Sequence, residues 1–144
     1  MKGTNEYNIS HPNTLTPENI IKREKAIEEI NTFDDLSELI DLKIIRGVIA
    51  YGFENPSPIQ QKAIPAILAG KDILGIAQTG SGKTASFVLP VLQMFQDGVG
   101  SKNRHIKALV LVPTRELAIQ VSEVVKTLSS NLPSKISMLA SSLL

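Results

Sequence analysis

The residues Ala77-Gln78-Thr79-Gly80-Ser81-Gly82-Lys83-Thr84 have the types and spacing of a phosphate-binding loop. An apolar strand candidate, Asp72-Ile73-Leu74-Gly75-Ile76, precedes them, and a helical pattern, Ala85-Ser86-Phe87-Val88-Leu89, follows. A strand, a glycine-rich turn and a helix N-terminus make a concave nest of backbone N–H groups that suits anionic oxygen. Gly80 and Gly82 let phosphate oxygens approach the backbone and can adopt positive φ without strain. In such a loop Lys83 reaches the β- and γ-phosphates and the Thr84 hydroxyl ligates Mg²⁺. The general pattern has glycine five residues before Gly82, where this chain has Ala77. A Gly/Ser turn followed by an ordinary lysine is the competing reading. Context and spacing favour the phosphate loop.

A second constellation is Gly52-Phe53-Glu54-Asn55-Pro56-Ser57-Pro58-Ile59-Gln60, with Phe33 upstream. A glutamine amide offers one acceptor and a donor pair, the complement of adenine N6 and N7. An aromatic ring such as Phe53 can pack on a base. Ser57 and Gln60 also stand at capping-box spacing, which would use Gln60 to cap a helix. From this segment alone capping is the stronger reading, and the two roles can share the site.

The third is Pro113-Thr114-Arg115-Glu116-Leu117-Ala118, directly after the apolar run Ala108-Leu109-Val110-Leu111-Val112. Ligands of open α/β sheets bind beyond the carboxyl ends of strands. Thr114 and Arg115 at a helix start could meet a phosphate there. An ordinary helix start with an Arg115–Glu116 surface pair explains the segment equally well. The basic run Lys102-Asn103-Arg104-His105-Ile106-Lys107 is most simply a solvated loop.

The elements that must position these groups follow an α/β order. Residues Met1 to Leu15 are polar, and Thr16-Pro17-Glu18 opens a helical pattern through Ile20, Ile27 and Ile30. Leu39, Leu42, Ile45 and Ile49 suggest a second helix that Gly52 ends. Ser57 opens a third, carrying Ile64, Ile67 and Leu68 to Gly70, which Pro65 should kink or divide. The phosphate-loop helix should likewise be interrupted by Pro90. A polar loop from Asp97 to His105 leads to the second strand candidate, Ala108–Val112, apolar on both faces as a buried parallel strand is. Another helix begins near Thr114, and Lys135 to Ala140 is a third strand candidate. The βαβαβ alternation points to a parallel sheet flanked by helices.

Composition narrows the function classes. The 144 residues suffice for one domain of typical size, with 42% hydrophobic and 20% charged residues. A net charge of +1 gives no global basic footprint, so nucleic-acid contact must come from local groups. The absence of cysteine excludes disulfides and cysteine metal sites, and fits a cytoplasmic setting. No run approaches membrane-spanning length. His11 and His105 lie far apart in polar surroundings and do not suggest a metal site.

Taken together, the three segments resemble the Q motif, motif I and motif Ia of DEAD-box ATP-dependent RNA helicases, in the family's order. The resemblance covers about Phe33 to Ala140 and accommodates Ala77, which the helicase loop tolerates. The wording of Asp72-Ile73-Leu74 and Ala108–Val112 is similar to bacterial members. The resemblance implies a phosphate-loop, RecA-like parallel sheet within residues 33–144, after an N-terminal extension of residues 1–32. It implies that Gln60 reads adenine, with Phe53 on the base and Phe33 supporting the pocket. Ala77 to Thr84 would hold ATP, with Lys83 and Thr84 serving catalysis and Thr84 the Mg²⁺. Pro113, Thr114 and Arg115 would touch the sugar–phosphate backbone of single-stranded or duplex RNA. Protein partners are not implied. Family members close two RecA-like domains over RNA with ATP bound, separating short duplexes locally.

The departures matter as much. No Asp-Glu pair follows the phosphate loop, and the Ser-Ala-Thr motif, a Gly-Gly element and a second domain are absent. The sequence is therefore expected to be an N-terminal fragment, incomplete at the C-terminal end of its sheet. Phosphoryl transfer depends on charges placed around phosphates and metal, so this chain alone should not hydrolyse ATP at a useful rate. A non-catalytic nucleotide- or partner-binding half-domain is the alternative. A small nucleoside kinase would need lid arginines and a substrate-binding aspartate, and neither pattern is present.

Overall fold

Asp41 opens the first helix of the fold by accepting a hydrogen bond from Lys43 N at 2.7 Å through its carboxylate. The structure is a computed structural model, and it describes residues 30–98 and 106–133. Helix α1 spans Leu42–Tyr51 and ends where expected, because Gly52 takes the left-handed conformation at φ 96. Its buried face is Ile44, Ile45 and Val48, whereas Leu42 and Ile49 are exposed. Of the expected helix stripe Leu42, Ile45 and Ile49, only Ile45 thus faces the core. Leu39, assigned to the same helix, is buried but lies after a short 3-10 helix, Asp35–Glu38.

Helix α2 spans Pro58–Leu68, with proline at its first turn and the Gln60 side chain reaching back to accept from Ser57 N, the Gln60 half of a capping box. Helix α3 spans Lys83–Gly98, and α4 spans Arg115–Leu128 behind the N-cap Thr114. Neither Pro65 nor Pro90 divides its helix. An interior proline costs about 3 kcal/mol. Here Ile64 and Leu68 flank Pro65, and Leu89 and Leu92 flank Pro90, all four buried. Burying such a side chain is worth about 1.5–3 kcal/mol, so packing on both sides offsets the proline.

The most extensive helix contact is α2 on α3, and α1 and α4 meet each other as well as α3. Leu36, Ile44, Val48, Ile64, Leu89 and Leu128 lie in one core cluster between them. Buried Gln93 on α3 accepts from Asp41 N at 2.7 Å and so ties the start of α1 to α3. Gly47 lets α1 approach α4 closely. A Cβ there would lie 3.0 Å from the Leu128 carbonyl carbon and nearer still to its oxygen.

The expected parallel sheet is where sequence and structure differ. Among the described residues there is no β-strand, and residues 72–76 and 108–112 are neither helical nor paired. A strand exists through the ladder of a neighbour, and apolar composition alone does not supply one. The two segments keep a two-residue alternation all the same. Ile73 and Val110 are about half as exposed as Leu74, Ile76, Leu109 and Leu111. Ile73, Gly75, Val110, Leu111 and Val112 line a cavity of about 420 Å³ with α2, α3 and α4, while Leu74, Ile76 and Leu109 face solvent. The helix from Thr16, the Lys135–Ala140 strand and most of the Asp97–His105 loop lie outside the described residues.

Candidate nucleotide site

The loop 77–84 enters α3 through two glycines that no other residue could replace without strain. Gly80 has φ 79 and Gly82 has φ 84. Ser81 N donates to Gln78 O at 3.3 Å, which closes the turn and directs the chain into Lys83 at the start of α3. Gln78, Thr79 and Gly80 are exposed. The first N–H groups of α3 have no partner within the helix, as at any helix start, and these are the donors an anion uses.

Lys83 lies back over its own loop. Its ammonium donates to Ala77 O and, at 2.7 Å, to Gln78 O. These carbonyls carry no net charge, so phosphate oxygens would add the attraction of opposite charge to the same donors. Ser81 Oγ is buried in the loop without a hydrogen-bond partner, as is Ser57 Oγ in the adjoining turn. Orphaned buried hydroxyls beside a glycine nest fit a ligand rich in acceptor oxygens. Thr84 follows Lys83 in the first turn, where its hydroxyl can join a cation held by phosphates. Among the described residues no group of three His, Asp or Glu side chains could hold a metal independently.

Gln60 joins the second constellation to the loop. Its Oε1 accepts from Ser57 N at 2.9 Å, and its Nε2 donates to Gly82 O at 3.2 Å. The same Gly82 oxygen accepts Ser86 N at 3.1 Å, the first backbone bond of α3. Gln60 is only 1% exposed, so both ends of its amide are engaged and its face is covered. Capping is therefore realised in this structure, and the cap reaches 22 residues ahead to hold the phosphate loop.

The aromatic groups gather nearby in sequence at the end of α1. Phe53 N donates back to Val48 O at 3.3 Å across Gly52, which turns the Phe53 ring toward the core. Phe33 is buried, with its centroid 6.4 Å from that of Phe53 and the planes 47° apart. Its loop is fixed by Asp35, whose Oδ2 accepts from Asn31 N at 2.9 Å and Thr32 N at 2.7 Å. The Thr32 and Asn31 backbone bonds hold the Asp35 carboxyl below its usual value of 3.8. Sequence reasoning missed two parts of this arrangement. Tyr51 stacks on Phe53 with centroids 5.0 Å apart, and aromatic residues either side of a helix-ending glycine were the available signal. Asp35 was the other, announced by Thr32 three residues before it.

Thr114 is the N-cap of α4, its Oγ1 accepting from Leu117 N at 3.2 Å. The helix-start reading is thus realised, and Pro113, Thr114 and Arg115 are all exposed. Leu117 in that first turn lines the same cavity as Lys83 and Thr84, which brings this segment alongside the phosphate loop. Of the basic run only Ile106 and Lys107 are described, and both are exposed.

The chain belongs to the DEAD/DEAH box helicase family, whose model it matches over residues 57–142. It is 50% identical over 101 residues to ATP-dependent RNA helicase DHH1 of Vanderwaltozyma polyspora, covering 70% of this chain and 20% of that protein. With the protein of the same name from Yarrowia lipolytica it shares 53% identity over 94 residues, 65% of this chain and 17% of the other. The chain thus spans about a fifth of the length of these curated relatives. Both are fungal and lend no support to the bacterial wording of residues 72–74 and 108–112. Among solved structures, the RNA helicase Prp28 of Chaetomium thermophilum bound to ADP matches with a TM-score of 0.68 and 25% identity. That match covers 98% of this chain and 35% of the other.

Proposed function

We propose that this chain is the ATP-binding and RNA-contacting portion of an ATP-dependent RNA helicase, and that alone it binds ATP without turning it over. The observation that carries the reading is the bond from Gln60 to Gly82, which joins the base-reading candidate to the loop that cradles phosphate. With nucleotide bound, Lys83 would turn from Ala77 O and Gln78 O to the β- and γ-phosphates, and the Thr84 hydroxyl would help hold Mg²⁺. ATP and Mg²⁺ supply a polarised phosphoryl group when bound. Gln60 and Phe53 orient the base, Phe33 supports Phe53 from beneath, and residues 77–82 fix the phosphates. Pro113, Thr114 and Arg115 contact the RNA sugar–phosphate backbone without reading sequence.

The lack of an Asp-Glu pair after Thr84 supports binding without hydrolysis in these 144 residues. In this reading residues 33–144 form the helicase part and 1–32 an extension. Segments 72–76 and 108–112 serve as parallel strands once a neighbouring strand pairs with them, and their alternating exposure supports that role. The lack of cysteine accords with a cytoplasmic setting.

Calorimetry with Mg²⁺–ATP on the chain and on Lys83→Ala tests the proposal, with an RNA-stimulated ATPase assay beside it. Binding that Lys83→Ala removes, without turnover in either protein, is the expected result. No ATP binding, or turnover that depends on Lys83, would overturn it.

A further inference from the structure

Phe53 is held from two sides, by two rings of very different exposure. Phe33 is 4% exposed and belongs to the core, whereas Tyr51 is 43% exposed at the last position of α1. The helix needs no tyrosine to end, because Gly52 with its left-handed φ performs that task. The same turn sets Tyr51 and Phe53 on either side of one residue, with ring centroids 5.0 Å apart and planes within 23°. Phe33 meets Phe53 at a steeper 47° and a longer 6.4 Å, so Tyr51 is the partner that fixes the plane of the Phe53 ring.

We propose that Tyr51 is a positioning residue for the base of a purine nucleoside triphosphate, acting by holding Phe53 in the plane that receives it. This rests on the reading of Phe53 as the base-packing ring. A ring supported on one side only must lose rotamer freedom when a base packs on it, and that cost weakens binding. Tyr51 orders the ring beforehand through an aromatic pair, an interaction that corresponds to roughly a two- to twelvefold change in affinity. The effect belongs to the base, since a ligand of phosphates alone offers Phe53 nothing to pack on.

The test compares ATP with inorganic tripolyphosphate, which carries phosphates and no base. Binding is measured by calorimetry for the chain, Tyr51→Ala, Tyr51→Phe and Phe53→Ala, each checked by its unfolding midpoint. Tyr51→Ala should weaken ATP about three- to tenfold, leave tripolyphosphate unchanged, and be rescued by Tyr51→Phe, which keeps the ring pair. Wild-type ATP affinity in Tyr51→Ala, or parallel loss of both ligands at an unchanged midpoint, overturns the proposal. Should Tyr51→Ala unfold, failure of Tyr51→Phe to match wild type on ATP overturns it instead. Phe53→Ala separates the two levels: no change in its ATP affinity removes the base-packing reading itself. A loss in Phe53→Ala with none in Tyr51→Ala removes only the role of Tyr51.

Discussion

Gln60 Nε2 donates to the carbonyl oxygen of Gly82 at 3.2 Å, so the helix cap of α2 and the phosphate loop share one hydrogen bond. The contact depends on there being no side chain at residue 82. A Cβ on Gly82 would lie 3.2 Å from Gln60 Cδ and 3.3 Å from Ser57 Oγ, and closer still to Nε2. Gly82 also sits at φ 84, where an L side chain is strained by about 1–3 kcal/mol.

Gly82→Ala should therefore displace Gln60 and distort the loop together. The expected result is at least a tenfold loss of ATP affinity, with a destabilisation of about 1–3 kcal/mol. Calorimetry and denaturant unfolding on the same preparation read the two effects. Unchanged affinity would mean that Gln60 and the loop are not coupled.

Gly47 makes the equivalent prediction for the core. The Leu128 backbone occupies the space a methyl group would need, and backbone cannot rotate aside. Gly47→Ala should separate α1 from α4 and cost about 1–3 kcal/mol, as overpacking does. The gain in helix propensity, about 1 kcal/mol at most, opposes this without reversing it. A midpoint equal to or above wild type in urea would show that these helices do not meet through Gly47.

Asp35 supplies a pH dependence whose sign is determined. Backbone bonds from Thr32 and Asn31 lower its folded pKa below 3.8. A group depressed on folding stabilises the protein above its unfolded pKa, and that contribution is lost as pH falls through the folded value. Asp35→Asn should be less stable than wild type at neutral pH, with the gap closing below about pH 4. Unfolding midpoints from pH 7 to pH 2 test this, and a gap that persists at pH 2 contradicts it.

The local fold around the candidate site was legible where one residue's backbone chemistry decides it. Gly52 ends α1, Ser57 and Pro58 open α2, and Gly80 and Gly82 shape the loop. Such signals act within a few residues and survive any tertiary context. The expectation that Pro65 or Pro90 could break its helix fails for the opposite reason. Their local cost is real, but burial of Ile64, Leu68, Leu89 and Leu92 outweighs it, and burial depends on residues far along the chain. The segments 72–76 and 108–112 show a third limit, because apolar composition identifies a candidate strand while pairing requires a partner segment. Gln60 carried two readings at once, and its 22-residue reach to Gly82 could not be read from spacing.

The central claim is that Gln60 couples base recognition to the phosphate loop. Nε2 has a second N–H and Oε1 a second lone pair, so the amide can keep Gly82 O and Ser57 N while it reads a base edge that offers a matching acceptor and donor. The direct measurement is calorimetric affinity for ATP and GTP, in the chain and in Gln60→Ala with folding verified. The account predicts that the chain prefers ATP by about tenfold or more, and that Gln60→Ala abolishes the preference. Equal affinity for both nucleotides in the unsubstituted chain would contradict it, leaving Gln60 as a helix cap alone.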